Sequence, residues 1–142
     1  MNTYSKRLLA GLLLALATLL PAAAAPVLIT NKNVAAEKID AATLKSVFLG
    51  KKVAWDGAGR VVLAVLKSGP VAEEIYKAHA DMNASTFNNH WRRLAMTGGG
   101  TAPKAFDSED ELRKFVAETP GAIGFVDSAA VDATVATLVP TP

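Results

Sequence analysis

The chain has 142 residues, a formal net charge of +2 and no cysteine. The absence of cysteine excludes disulfide bonds, thiolate catalysis and cysteine-ligated metal sites. Two of its positive charges, Lys6 and Arg7, precede a long apolar block. Without them the chain is close to neutral and lacks the basic surplus that general nucleic-acid binding requires.

Residues 1–24 are predicted to form a secretory signal peptide. The apolar block from Leu8 to Leu20 follows the positive charges and is too short to span a bilayer comfortably. Because signal peptidase tolerates proline poorly just after its cut, we expect cleavage after Ala23 or Ala24. An uncleaved membrane anchor is the alternative, and no later stretch is long enough to span.

Residues 25–142 are predicted to form one α/β domain, because strand and helix patterns roughly alternate along them. In chain order, the predicted elements are a strand at Val27–Thr30, a helix capped by Asp40, a turn at Trp55–Gly59, a strand at Val61–Leu66, a helix from Pro70, a helix capped by Ser85 or Thr86, a loop at Thr101–Pro103, a helix after the capping box Ser108–Glu111, a strand at Ala122–Val126, and a last strand at Thr134–Val139 before a frayed tail.

The run from Val61 to Leu66 is the longest purely apolar stretch after the leader, which predicts a central strand buried on both faces. Gly69 as N-cap and Pro70 at the first helical position then begin a helix. Ligands collect at such carboxyl-end turns, and the first amides of a helix attract anions. Lys67, Ser68 and Gly69 are therefore candidate anion-binding residues, although an ordinary connection in a core explains the pattern equally well.

Three further residues are candidates for the same anion site. Asn31 and Lys32 form a polar exit from the first strand and are expected on the same face. Arg92 could reach over the glycine loop at residues 98–100 to hold an anion. A cation near the end of a helix is also favourable for the helix alone.

The sequence favours binding over catalysis. His79 and His90 have no acidic residue at metal-ligand spacing, so we expect no metal site and no cofactor. Ser68 lacks the Gly-x-Ser-x-Gly pattern of a nucleophile elbow, so we expect no hydrolase activity. From Pro26 to Lys104 the charges sum to +5, and from Ala105 to the end they sum to −5. An anion site is therefore expected in the first part.

Three motifs stand in order along the chain. They are Leu44-Lys45-Ser46-Val47-Phe48-Leu49-Gly50-Lys51 leading to Trp55-Asp56-Gly57, Trp91-Arg92-Arg93 leading to Thr97-Gly98-x-Gly100-x-x-Pro103, and Pro120-Gly121-Ala122-Ile123-Gly124-Phe125-Val126. Their order and spacing resemble the phosphate-type periplasmic solute-binding proteins of ABC transporters. The resemblance implies one lobe of a type II periplasmic-binding-protein-like fold, with a mixed sheet flanked by helices.

The resemblance also implies a function. The two-lobed relatives hold a small oxyanion in their cleft, and a Ser-Gly-Thr triplet opens the helix that binds it. Ser68 and Gly69 match two of these residues, but Pro70 replaces the threonine, and no arginine stands just upstream. The resemblance therefore implies an exported, periplasmic protein that binds phosphate or a related oxyanion weakly for an ABC transport system.

A second reading of the same chain stays open. The chain could be a single-lobe interaction or sensory module that binds a protein and holds no small ligand. The inner face at the carboxyl ends of the strands has no second lobe in the chain to cover it. A second copy, or a separate exported or membrane protein, is therefore the expected partner.

Overall fold

The computed structural model describes residues 25–142, so the predicted signal peptide lies outside the described residues. In chain order, the elements are β1 (Pro26–Thr30), β2 (Lys38–Asp40), α1 (Ala41–Phe48), β3 (Ala54–Trp55), β4 (Gly59–Arg60), β5 (Val62–Leu66), α2 (Pro70–Ala80), α3 (Ala84–Met96), β6 (Lys104–Phe106), α4 (Glu109–Glu118), β7 (Ala122–Asp127), a short 3-10 helix (Ser128–Ala130) and β8 (Ala136–Thr141).

Six strands form one mixed sheet in the order β2-β8-β1-β7-β5-β6, and β3 with β4 forms a separate hairpin. Strand β1 pairs antiparallel with both β7 and β8. The other pairings in the large sheet are parallel. The predicted α/β class and the mixed sheet flanked by helices are confirmed.

Strand β5 is buried from Leu63 to Leu66, as its apolar run predicts. Its predicted central place is wrong, because β5 lies between β7 and the edge strand β6 while β1 and β7 occupy the middle of the sheet. The three residues of β6 carry no alternating pattern, so the sequence did not reveal them. They follow the loop that was predicted at Thr101–Pro103.

Two predicted boundaries are also wrong. The N-cap of helix α3 is Asn83, two or three residues before the predicted Ser85 or Thr86, because the Asn83 side chain accepts a hydrogen bond from the Thr86 amide at 2.8 Å. Strand β8 begins at Ala136 and includes Pro140, which was placed in a frayed tail. The short edge strand β2 pairs with it, with Ile39 opposite Pro140.

Two glycines of the third motif allow close approach between elements. Gly121 has φ 78°, and a Cβ there would lie 2.1 Å from the Arg60 carbonyl oxygen. A Cβ on Gly124 would lie 2.7 Å from Leu112 Cδ2, where α4 packs on β7. These positions accept hydrogen and nothing larger without displacement of their neighbours.

The two tryptophans complete the same framework. Trp91 donates its indole N–H to the Phe48 carbonyl at 3.0 Å, and its ring lies over Gly50, where a Cβ would meet it at 2.6 Å. Trp55 donates to the Gly121 carbonyl at 2.8 Å, which joins the β3–β4 hairpin to the start of β7. Residues of the motifs that carry the resemblance therefore make the contacts that hold these elements together.

Two glycine substitutions separate backbone strain from steric contact. Gly57 has a positive φ of 83°, and nothing lies within 4 Å of a Cβ added there. Gly57→Ala should therefore lower the unfolding free energy by about 1–2 kcal/mol through backbone strain alone. Gly121→Ala adds the collision with the Arg60 carbonyl and should cost about 2 kcal/mol more. Urea unfolding of both variants measures the difference, and equal losses would show that the contact at Gly121 is not tight.

Candidate functional site

The predicted anion-binding turn lies where β5 passes into α2. Two hydrogen bonds fix the end of the strand: Tyr76 Oη donates to the Leu66 carbonyl at 2.9 Å, and the Lys67 amide donates to the Phe106 carbonyl at 3.0 Å. Lys67, Ser68 and Gly69 are all exposed. The turn is thus held through its backbone while its side chains face solvent.

The first turn of α2 offers two backbone donors beside Ser68. The first intrahelical bond runs from the Glu73 amide to the Gly69 carbonyl at 3.1 Å. The amides of Val71 and Ala72 precede that bond and have no carbonyl one turn back. Pro70 supplies no amide hydrogen. Two helical N–H groups and the Ser68 hydroxyl are therefore neutral donors at this end of the helix, and the Gly69 amide adjoins them.

The positive charge at the turn is already matched by a carboxylate. Lys67 Nζ lies 2.9 Å from Asp107 Oδ2, and the two side chains are 53% and 77% exposed. Ion pairs this exposed contribute little, so a solvent anion can compete for the lysine. Asp107 nonetheless lowers the positive potential that an anion would meet.

A groove of about 740 Å³ beside the start of α2 is lined by three carboxylates and one guanidinium. Glu109, Asp110 and Asp127 line it together with Arg113. The guanidinium of Arg113 pairs with Asp110 at 2.9 Å and with Asp132 at 3.0 Å, and it is only 15% exposed. Arg113 therefore fastens α4 to the segment after β7 and leaves no open fork for an anion.

Asn31 and Lys32 lie at the opposite end of the strands from the turn. The backbone N–H of Asn31 donates to the Ala122 carbonyl at 2.9 Å, and Ala122 is opposite Val62 at the start of β5. Lys67 is five residues further on, roughly 16 Å along the strand. The expectation of a shared face is wrong because β1 runs antiparallel to its neighbour β7.

Asn31 has a structural position. It is 8% exposed, and its amide group donates to the carbonyls of Val116 at 2.9 Å and Ala117 at 3.0 Å. Its Oδ1 accepts from the Asn33 amide at 2.9 Å. These bonds occupy the side chain and satisfy carbonyls in the last turn of α4.

Arg92 is exposed on α3 and donates to the Asn89 side chain at 3.1 Å. It lines a groove of about 300 Å³ between α3 and β6, together with Trp91 and Pro103. No hydrogen bond or salt bridge in residues 25–142 joins it to the turn at Lys67. The structure thus brings together Lys67, Ser68 and Gly69, places Asn31 and Lys32 at the far end of the strands, and leaves Arg92 in the groove beside Val65.

The buried titratable groups serve packing. Burial, and to a smaller degree the charge of Glu73, raise the pKa of Tyr76, whose hydroxyl anchors the end of β5. Burial lowers the pKa of His79, whose ring stacks on Phe48 with centroids 6.3 Å apart. His90 Nε2 lies 2.9 Å from the Leu49 carbonyl oxygen.

Two hydroxyl-capped carboxylates lie away from the turn. Hydrogen bonds from Thr43 lower the pKa of Asp40, the N-cap of α1. Hydrogen bonds from Thr134 lower the pKa of Asp132.

Within residues 25–142, no group of three or more metal-ligating side chains converges. None of the helices in that range has the length and apolar character that a membrane span needs.

Several solved structures share this fold, among them the following three. An ABC-type phosphate transport receptor from Vibrio cholerae aligns with a TM-score of 0.57 and 11% identity over 82% of this chain and 46% of its own. A substrate-binding protein assigned to phosphate ABC transport in Clostridium perfringens, with phosphate bound, gives 0.63 and 17% over 82% and 45%. PstS from Borrelia burgdorferi gives 0.58 and 12% over 83% and 47%.

These similarities define the class of fold. The described domain has the architecture of one part of a phosphate-type substrate-binding protein, so the resemblance seen in the motifs is confirmed at the level of fold. The chain spans less than half the length of the solved structures that it matches. No protein-family model matches the sequence, and no curated protein matches it in a sequence search.

Replacing Asn31 tests whether that residue is structural. Asn31→Ala removes three side-chain hydrogen bonds to backbone groups and should lower the unfolding free energy by about 2 kcal/mol. The neighbouring Lys32→Ala, at an exposed side chain, should change it by less than about 0.5 kcal/mol. Thermal and urea unfolding check both, and an Asn31→Ala variant as stable as the parent would refute the structural assignment.

Proposed function

We propose that the protein is an exported solute-binding protein that holds phosphate or a related small oxyanion weakly, in the service of an ABC transport system. Its role in this proposal is binding, with no catalytic step. The periplasm, or another compartment reached by export, is the proposed location. The leader-like sequence at residues 1–24 and the fold shared with phosphate transport receptors support that location.

One observation carries the proposal: the exposed turn at Lys67, Ser68 and Gly69 opens α2 at the carboxyl edge of parallel strands. An anion at this point would accept hydrogen bonds from the amides of Val71 and Ala72 and from the Ser68 hydroxyl. The partial positive charge at the start of α2 and the Lys67 ammonium would add attraction. This is the type of environment in which helices hold oxyanions.

The same geometry supports weak binding. Asp107 competes for Lys67, Pro70 removes one amide donor, and Glu73 lies in the first turn of α2. The turn is exposed on the solvent side, so the anion keeps part of its hydration. Three neutral donors at about 1 kcal/mol each, with a screened charge, correspond to a dissociation constant on the order of 1 mM.

A second candidate function is a single-lobe interaction or sensory module that binds a protein and no small ligand. The carboxylates around the turn favour it, because Asp107, Glu109 and Asp127 make the carboxyl edge acidic. Such an edge suits a basic surface of a partner better than a free anion. The two candidates differ in whether any small oxyanion binds.

Calorimetric titration of residues 25–142 with phosphate and sulfate tests the proposal. We expect millimolar binding that Asp107→Asn tightens about three- to fivefold, because the variant frees Lys67 from an exposed ion pair. Asp56→Asn makes the same charge change on the β3–β4 hairpin and should leave affinity within about twofold. A double variant, Lys67→Ala with Ser68→Ala, should weaken binding about tenfold or more.

Three outcomes would contradict parts of this account. Nanomolar affinity for phosphate would contradict the exposed, half-neutralised site. Unchanged binding by the double variant would move the anion away from the turn. Absence of binding by phosphate, sulfate and small organic anions at tens of millimolar would overturn the function and leave the protein-binding module.

A further inference from the structure

Strand β6 lies at an open edge of the sheet with a groove on each side. On the side of α4, a groove of about 380 Å³ is lined by Arg60, Val62 and Phe115. On the side of α3, the groove of about 300 Å³ is lined by Val65 and Trp91. The residues before β6 contribute to both grooves, so the two adjoin along one strand.

The backbone at the centre of β6 points to that open edge. Phe106 accepts a hydrogen bond from the Lys67 amide, so its carbonyl faces β5. Because these directions alternate along a strand, the N–H and C=O of Ala105 face away from β5. No strand in residues 25–142 pairs with β6 on that side. The N–H and C=O of Ala105 are therefore available to pair with an added strand.

The side chains of β6 mark which face each groove occupies. Phe106 packs on Phe115 of α4, with ring centroids 5.1 Å apart, and Ala105 lines the groove beside α3. An extended segment paired with β6 would also direct successive side chains to opposite faces. Its alternate side chains would enter the two grooves in turn.

Charge at this edge indicates the chemistry of the segment. Arg60, Arg92 and Lys104 stand around the two grooves, and none of them forms a salt bridge within residues 25–142. Two copies joined through β6 would bring these like charges together, which disfavours that pairing. Carboxylates on an incoming segment would meet unpaired cations.

We propose that the β6 edge binds a short extended segment of another protein, with apolar side chains at alternate positions and carboxylates flanking them. Main-chain bonds to Ala105 fix the segment, and the two grooves and the basic rim select its sequence. Pro103 lacks an N–H and Lys104 places charge on the edge, so indiscriminate strand pairing is restricted. Neither groove is lined by Lys67, Ser68 or Gly69.

A displayed peptide library tests the proposal. The probe is a set of extended peptides of about nine residues, with variable apolar positions at every second site and with either acidic or basic ends. We expect selection on residues 25–142 to enrich the acidic set. In isotope-labelled protein, the enriched peptide should shift the amide resonances of Ala105 and Phe106 most.

Variants locate the contact and keep the test decisive. The double variant Arg60→Glu with Lys104→Glu should weaken the enriched peptide about tenfold or more, because two rim attractions become repulsions. Ala105→Pro removes the outward amide and should abolish binding. Lys77→Glu, a single charge reversal on the exposed face of α2, should leave affinity within about twofold, whereas Lys104→Glu alone, the matched single change at the groove, should weaken it. If Ala105→Pro fails to fold, the charge variants and the resonance map still decide.

The proposal fails if the library enriches no peptide, or if basic and acidic sets are enriched equally. It also fails if the enriched peptide shifts resonances of β2 at the other edge of the sheet, or if the charge-reversed double variant binds it as well as the parent. Enrichment of acidic peptides that lose affinity with that double variant and map to β6 supports it.

Discussion

Gly121 is the point at which three separate segments of the chain are fastened together. Its amide donates to Asn33 Oδ1 at 2.9 Å, and its carbonyl accepts from Trp55 Nε1 at 2.8 Å and from the Val62 amide at 3.1 Å. Its Cα lies so close to the Arg60 carbonyl that no side chain fits. The exit of β1, the hairpin and the start of β5 are thereby set against the start of β7, and the register of the parallel strands follows.

This junction makes the two ends of the parallel strands β5 and β7 different. At the amino ends of β5 and β7, the Asn31 side chain bonds three backbone groups and Asn33 Oδ1 accepts from the Gly121 amide, so these atoms are engaged in holding the fold. At the carboxyl edge, the turn from Lys67 to Gly69 is held only through its backbone, and its side chains are exposed. A site can therefore form at the carboxyl edge, where the acid around the turn sets its strength.

The sequence predicted the fold better than the site for a physical reason. Gly50, Gly121 and the two tryptophans are visible as motifs because close contacts restrict those positions to few residue types. The helix start at Gly69 and Pro70 was also visible, because its chemistry is local. The pairing of Lys67 with Asp107 spans forty residues and depends on β6, whose three residues carry no pattern. Asn31 was misplaced because strand direction is a property of the whole sheet.

The central proposal is that the domain formed by residues 25–142 binds a small oxyanion at the turn that begins α2. Nuclear magnetic resonance of isotope-labelled residues 25–142, titrated with phosphate, tests it most directly. The account predicts a dispersed spectrum in which the amides of Ser68, Gly69, Val71 and Ala72 shift progressively in fast exchange, while those of Asn31, Asn33 and Gly121 stay in place. Shifts centred on the edge that holds Asn31 and Lys32, or the collapsed spectrum of an unfolded chain, would contradict it.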